Sequence, residues 1–310
     1  MNRIRTGTFL LLFLYIYPWH LTAQDSLGIN EGATSPMVNK KLLAAGLVTG
    51  SLAYAGASAY LYHSGFTDNQ SVAFHFFNDS KSFIQMDKFQ HAFITYAASY
   101  TGYHFLRCAG VSEEKALLFG GPLGFLLASP KEIVDGFSAN TGFSPFDFAA
   151  NFAGSALFIG QELVFKDQIV KSKFSYSRSD YAEQANGYLG RNYFDGYFND
   201  YNGHTYWLSI NANRLIMRNK IPPWINIALG YSANGMFGAF ENIESYNSVP
   251  IPETQRYRQY LLSLDVDWPR IKTRSGFVNA LCKMLVFVKL PFPALEYNSK
   301  GELKGYWIYF

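Results

Sequence analysis

Cysteine is scarce: Cys108 and Cys282 are the only two in 310 residues. No Cys-x-x-Cys pair is present, so neither a sulfur-based zinc site nor a dithiol redox centre can be built from sequence spacing. An oxidising compartment would permit a Cys108–Cys282 bridge. Both thiols sit in apolar surroundings, however, and buried free cysteine is the favoured reading. Charge is scarce too. Charged residues make up 16% of the chain, the net charge is +3, and no dense Lys/Arg stripe occurs. That argues against nucleic acid as a partner. Gly-x-Ser-x-Gly, P-loop, dinucleotide-fingerprint and His-Glu-x-x-His motifs are all missing, so no reaction class is announced by a motif. Mean hydropathy is -0.03, too polar for a chain made mostly of membrane spans.

Aromatic residues are abundant instead, at 18%. Amphipathic rings with few charges suit a protein that works at or in a membrane. The first 23 residues read as a signal peptide. Arg3 and Arg5 form its basic start, Phe9 to Tyr17 its apolar centre, and Leu21-Thr22-Ala23 a small-residue cleavage site before Gln24. An uncleaved anchor is the alternative, disfavoured because the apolar run is short. No cysteine follows that run, so no lipid attachment site is expected. The mature chain is expected to be exported, to the periplasm or outer membrane.

Residues 24–39 read as a polar lead-in. Residues 40–166 read as a helical domain. Its first helix, Leu42 to Tyr62, is free of charge and carries Gly46, Gly50, Ala53 and Ala57; small residues at such steps allow close helix approach. It is just long enough to span a bilayer, at ~20 residues, and equally fits a central buried helix of a water-soluble bundle. Further helices are expected over Met86–Arg107, from Glu113 (N-capped by Ser112) to Ser129, over Lys131–Gly136 and from Phe146 to Phe165. Pro130 is expected to begin a turn, and Ser144-Pro145 to start the last helix. Lys166 to Gly187 has the composition of a connector. Beyond it, His204–Asn213, Trp224–Tyr231, Arg256–Trp268 and Leu303–Phe310 alternate with the period of strands, and Ser275–Lys289 reverts to helical period. The expected fold class is α+β: a compact bundle of four to five short Gly/Ala-rich helices, then a small antiparallel β-rich part over 167–310 with a late helix. A terminal aromatic strand is also a habit of outer-membrane barrels, but too few strands are visible to close one.

The candidate site lies in the helical part. Asp87 and His91, four apart, share a helix face, as do Glu132 and Asp135, and Asp147 and Asn151. A carboxylate beside an imidazole can orient it and raise its basicity. Were these helices to bundle, His91, Asp87, Glu132, Asp135, Asp147 and Asn151 could form a paired-carboxylate acid/base site. Equally, His91, Glu132, Asp135 and Asp147 could bind a divalent cation. The structural alternative is as strong for the set and stronger for each member. Asp87 would complement a helix start and pair with Lys88, Lys131 would pair with Asp135, and Asn151 would bolt helices together. His75 and Asp79 form a further four-apart pair.

At these residues the chain resembles the domain of unknown function 2279 family, described as predicted periplasmic lipoproteins. The resemblance rests on Asp87-Lys88-x-x-His91, on Lys131-Glu132-x-x-Asp135, and on Gly142-Phe143-Ser144-x-x-Asp147-x-x-x-Asn151-x-x-Gly154. It covers roughly residues 83–162. The motif order more distantly resembles VanZ-like membrane proteins. The resemblance implies an envelope location and imports no established activity. Two functions follow as expectations. One is a membrane-associated structural or assembly protein whose partners are membrane lipid or envelope proteins. The other is a membrane-associated hydrolase or transferase on a lipid or cell-wall precursor.

Overall fold

A computed structural model describes residues 38–66, 70–217 and 220–310. The signal peptide and nearly all of the lead-in lie outside the described residues. The fold is α+β: eight α-helices and a six-stranded antiparallel sheet among the described residues. The chain divides into two compact units. The first holds the described residues up to Asn78, with Ile94–Gln168 and Thr273–Met284; the second holds Asp79–Phe93, Ile169–Lys272 and Leu285–Phe310.

In the first unit, α1 spans Lys40–Phe66, α2 Met86–Cys108 (this unit from Ile94 on), α3 Glu113–Gly120, α4 Leu123–Asp135, α5 Pro145–Phe165 and α8 Gly276–Met284. Small residues set how these helices meet. Gly124 on α4 lies against the backbone of Thr95 on α2, so close that a Cβ would sit 2.0 Å from the Thr95 carbonyl oxygen. Only glycine allows that approach. A hydroxyl bolt sits beside it. Ser99 Oγ donates to Ser155 Oγ at 2.9 Å, and the Phe125 amide donates to the same Ser155 oxygen at 2.9 Å. Further along α5, Gln168 Nε2 donates to Glu162 Oε1 at 2.8 Å, while Gln168 Oε1 accepts from Tyr96 at 3.1 Å and Gln161 at 3.0 Å. Polar groups thus meet one another in the interior.

Three expectations for these helices need correction. Pro130 does not start a turn; α4 runs through it. The helix forgoes one backbone bond there, and Ser129 Oγ donates to the Phe125 carbonyl at 2.7 Å in the same stretch. Ser112 stands before α3, but its side chain makes no cap bond. His75 and Asp79 are not on a helix, so their spacing places them on no common face. Residues 71–77 run extended along 136–143, tied by Val72 N–H to Phe137 O and Phe77 N–H to Phe143 O, each 2.9 Å. Ser144 does cap α5, accepting from the Asp147 amide at 2.9 Å. No disulfide joins Cys108 and Cys282.

In the second unit the sheet runs β1-β2-β3-β6-β7-β8. Its strands are β1 Val170–Tyr176, β2 His204–Asn211, β3 Ile225–Asn234, β6 Tyr257–Val266, β7 Phe292–Asn298 and β8 Leu303–Tyr309. Two short helices, α6 Tyr181–Gln184 and α7 Tyr193–Asn199, and a small β4–β5 ladder (Ser245–Tyr246 with Val249–Pro250) lie between strands. The expected connector therefore contains a strand, β1, and Pro293 lies inside β7. The sheet curls. Tyr309 on β8 reaches back to β2, with its ring 5.9 Å from Trp207 and its hydroxyl 3.3 Å from Thr205.

The curl buries the polar face. Lys173 pairs with Asp265 at 2.7 Å and Lys171 with Asp267 at 2.6 Å, all four inside. Ser209 Oγ donates to Asp265, and Glu296 accepts from Gln259, Asn298 and Tyr306. Lys289 lies over Trp207 and Phe292, and burial pushes its amine down to about 8. The other face is apolar. Leu208, Leu229, Leu262 and Leu295 stand side by side across four strands, and all are exposed.

His204 sits at the start of β2, almost fully buried. Its Nε2–H donates to the Tyr197 carbonyl at 3.0 Å, and Nδ1 faces the Tyr206 hydroxyl at 3.4 Å. That is the bonding of a neutral ring, and burial pulls its pKa from 6.5 down to about 4. The unfolded chain therefore takes up a proton that the fold refuses. His204 should cost stability progressively as pH falls from 6.5 to 4, reaching roughly 3 kcal/mol. Urea unfolding at pH ~7.5 and ~4.5, compared between wild type and His204→Gln, should show a flatter pH dependence in the variant. Equal slopes would mean the ring is already charged or wet.

Candidate functional site

The six expected residues divide between the two units. In the second, Asp87 and His91 occupy the first turns of α2. Asp87 is buried, and its position favours the positive end of the helix. Its Oδ2 is held by Lys88 Nζ at 2.8 Å, and the same ammonium reaches Asp79 Oδ2 at 2.7 Å. His91 Nε2 lies 3.7 Å from Asp87 Oδ1. That distance is too long for a hydrogen bond and within reach of an ion pair. Gln90, between them in sequence, accepts from the Tyr201 hydroxyl at 2.9 Å.

The backbone leading into this turn is unusual. Phe83, Ile84 and Gln85 all have left-handed backbones, with φ of 45°, 51° and 68°. Each costs about 1–2 kcal/mol for a side chain of this size. Three contacts hold the turn in place. Phe83 stacks on Tyr201 with centroids 4.1 Å apart, Tyr231 donates its hydroxyl to Ile84 O at 2.5 Å, and Arg258 donates to Gln85 Oε1 at 2.7 Å. No glycine or asparagine marks this turn, so the sequence carries no signal for it.

In the first unit, Glu132 and Asp135 lie on the last turn of α4, both buried. Lys131 Nζ is 2.5 Å from Asp135 Oδ2 and 3.6 Å from Glu132 Oε1. Asp147 adds its charge to the field at that ammonium. One lysine thus stands among three carboxylates. Asp147 and Asn151 lie on one face of α5, and Asn151 is fully buried. The loop joining α4 to α5 is held by the extended 71–77 segment. Gly142 sits there with φ +132° and packs under His75.

Asp87, Glu132, Asp135, Asp147 and Asn151 are buried, and His91 is partly buried. The parts that sequence reasoning underweighted are the lysines. Lys88 bridges two aspartates, and Lys131 serves two acids. Their adjacency to Asp87 and Glu132 in sequence was the available signal. The buried Lys171/Lys173/Asp265/Asp267 set was missed entirely. Its signal is Lys-x-Lys within β1 and Asp-x-Asp at the end of β6, facing inward.

No curated protein and no solved structure matches the chain, and the distant VanZ-like resemblance is not shown. Residues 75–160, which contain all six candidate residues, match the family model described as predicted periplasmic lipoprotein (DUF2279), an envelope family, consistent with export to the periplasm or outer membrane.

Proposed function

We propose that this envelope protein is membrane-associated and structural, acting in assembly or integrity of the envelope. The proposal joins a Gly/Ala-rich helical domain over 40–166 to a β-rich region over 167–310. The supporting observation is that the first unit is built inside out. Its serines, glutamines and acids meet in the interior, while Leu52, Leu118, Phe119, Phe152, Leu163 and Val164 point outward, each at least 60% exposed. Water does not favour such a surface; hydrocarbon does. Three stretches, Lys40–Ala59, Glu113–Asp135 and Pro145–Phe165, have the length and composition to cross a membrane. The buried polar groups would then fix helix register, and membrane lipid or envelope proteins would be the partners. Alkaline carbonate washing of membranes tests this. The protein should stay in the pellet and leave it only with detergent; release by carbonate would refute membrane integration.

A second reading has one observation in its favour, the Asp87–His91 carboxylate–imidazole pair. On it, the protein is a hydrolase or transferase acting on a lipid or cell-wall precursor. His91 with Glu132, Asp135 and Asp147 would hold a divalent cation, Asp87 would orient the ring, and Asn151 would complete the polar set. The match of one family segment to all six residues is the support for treating them together.

A further inference from the structure

We infer that the apolar face of the curled sheet seats in one leaflet of an anionic phospholipid membrane. The inference rests on the membrane reading above. A sheet in water hides its apolar face and shows its polar one. This sheet does the reverse. Across β2, β3, β6 and β7, the row Leu208-Leu229-Leu262-Leu295 is in register and exposed, while Lys173, Asp265 and Glu296 on the opposite face are sealed inside. The row to one side ends in tyrosines. Tyr206 and Tyr231 are covered by Phe93 and Phe89 of the same unit, while Tyr260 and Tyr297 are exposed. The row to the other side is Ile210-Ile227-Leu264. Three rows two residues apart make a band about 13 Å deep. That is about half of the ~30 Å hydrocarbon core, so the face would enter one leaflet and not span it.

Charge selects lipid over a second protein copy. Beyond the isoleucine row, the β2–β3 connection exposes Arg214, Lys220 and Trp224, and Lys272 is exposed a few residues after β6. The acids at that end, Asp265 and Asp267, are buried against lysines. A cationic, tryptophan-bearing rim beside an apolar band is the pattern that anionic headgroups recognise. Two copies stacked with these strand ends together would set like-charged rims against each other.

The test places the photo-crosslinker p-benzoylphenylalanine at position 262 or, separately, at position 152 on α5. Each full-length variant is reconstituted in vesicles of phosphatidylethanolamine with phosphatidylglycerol, and adducts are identified by mass spectrometry. The expected result is phospholipid adducts at both positions. Adduct at 262 should fall at least about tenfold when Arg214, Lys220 and Lys272 are all changed to Glu, with position 152 unaffected. Lipid at 152 with a second chain or nothing at 262 would overturn this inference and leave the membrane-embedded helices standing. Lipid at 262 alone would uphold the sheet and refute the helices. No lipid at either position would refute both.

Discussion

Lys173→Ala is expected to cost about 3–5 kcal/mol, because it strands a buried carboxylate. Lys173 is fully buried; its ammonium lies 2.7 Å from Asp265 Oδ2 and donates to the Val266 carbonyl at 2.6 Å. Asp265 keeps one short bond from Ser209 Oγ, and its Oδ1 has no hydrogen-bond partner. Without the lysine, a carboxylate with little solvation must stay charged or take up a proton, and either costs stability. The double change Lys173→Met with Asp265→Leu should recover most of the loss, since a well-packed apolar pair replaces a buried ion pair at little cost. Lys171→Ala should cost visibly less. Its partner Asp267 retains Arg270, whose Nε lies 2.9 Å away. Denaturant unfolding in detergent, read by tryptophan fluorescence, orders the three variants. Equal small losses for Lys173 and Lys171 would mean that water reaches the inside of the sheet.

The second large effect belongs to the helical unit. Lys131→Ala removes the cation from between Glu132 and Asp135, whose side chains are 2% and 12% exposed. Lys131 itself is about one-third exposed, at 29%, so solvent screens part of the pair. The expected loss is therefore at the lower end for a broken buried pair, about 2–3 kcal/mol. Glu132→Gln added to Lys131→Ala should restore part of it. A thermal melt of the detergent-solubilised protein checks both. A loss no larger than that of an exposed lysine would show that the acids are neutralised by something else, and a bound cation would be the first candidate.

The contrast between these two sites explains what was readable in the sequence. The helices announce themselves through glycine and alanine at helical steps, the Ser144-Pro145 start, and acids in first turns. Their candidate residues could be named because an Asp or His inside an apolar helix is conspicuous. The sheet hides its logic. β1 carries Lys171 and Lys173 where a soluble strand would carry apolar residues, so Val170–Tyr176 looks like a polar connector. β7 contains Pro293, a residue that normally ends such a reading, and the curl tolerates it. Pro130 deceives in the opposite sense, lying within α4 where a boundary was expected. The left-handed turn at Phe83–Gln85 is fixed by Tyr201, Tyr231 and Arg258, which lie more than a hundred residues away, and no local pattern could disclose it. Tertiary contacts override local preference at each of these points.

The central proposal is that the buried acids, His91 and Asn151 hold the structure in register. Metal content of the purified, detergent-extracted protein tests it most directly, measured by mass spectrometry on wild type, His91→Gln and Asp147→Asn. The account predicts no stoichiometric metal in any of the three, with both variants folded and modestly less stable. One divalent cation per chain in wild type, lost in both folded variants, would contradict it and favour the metal-site reading.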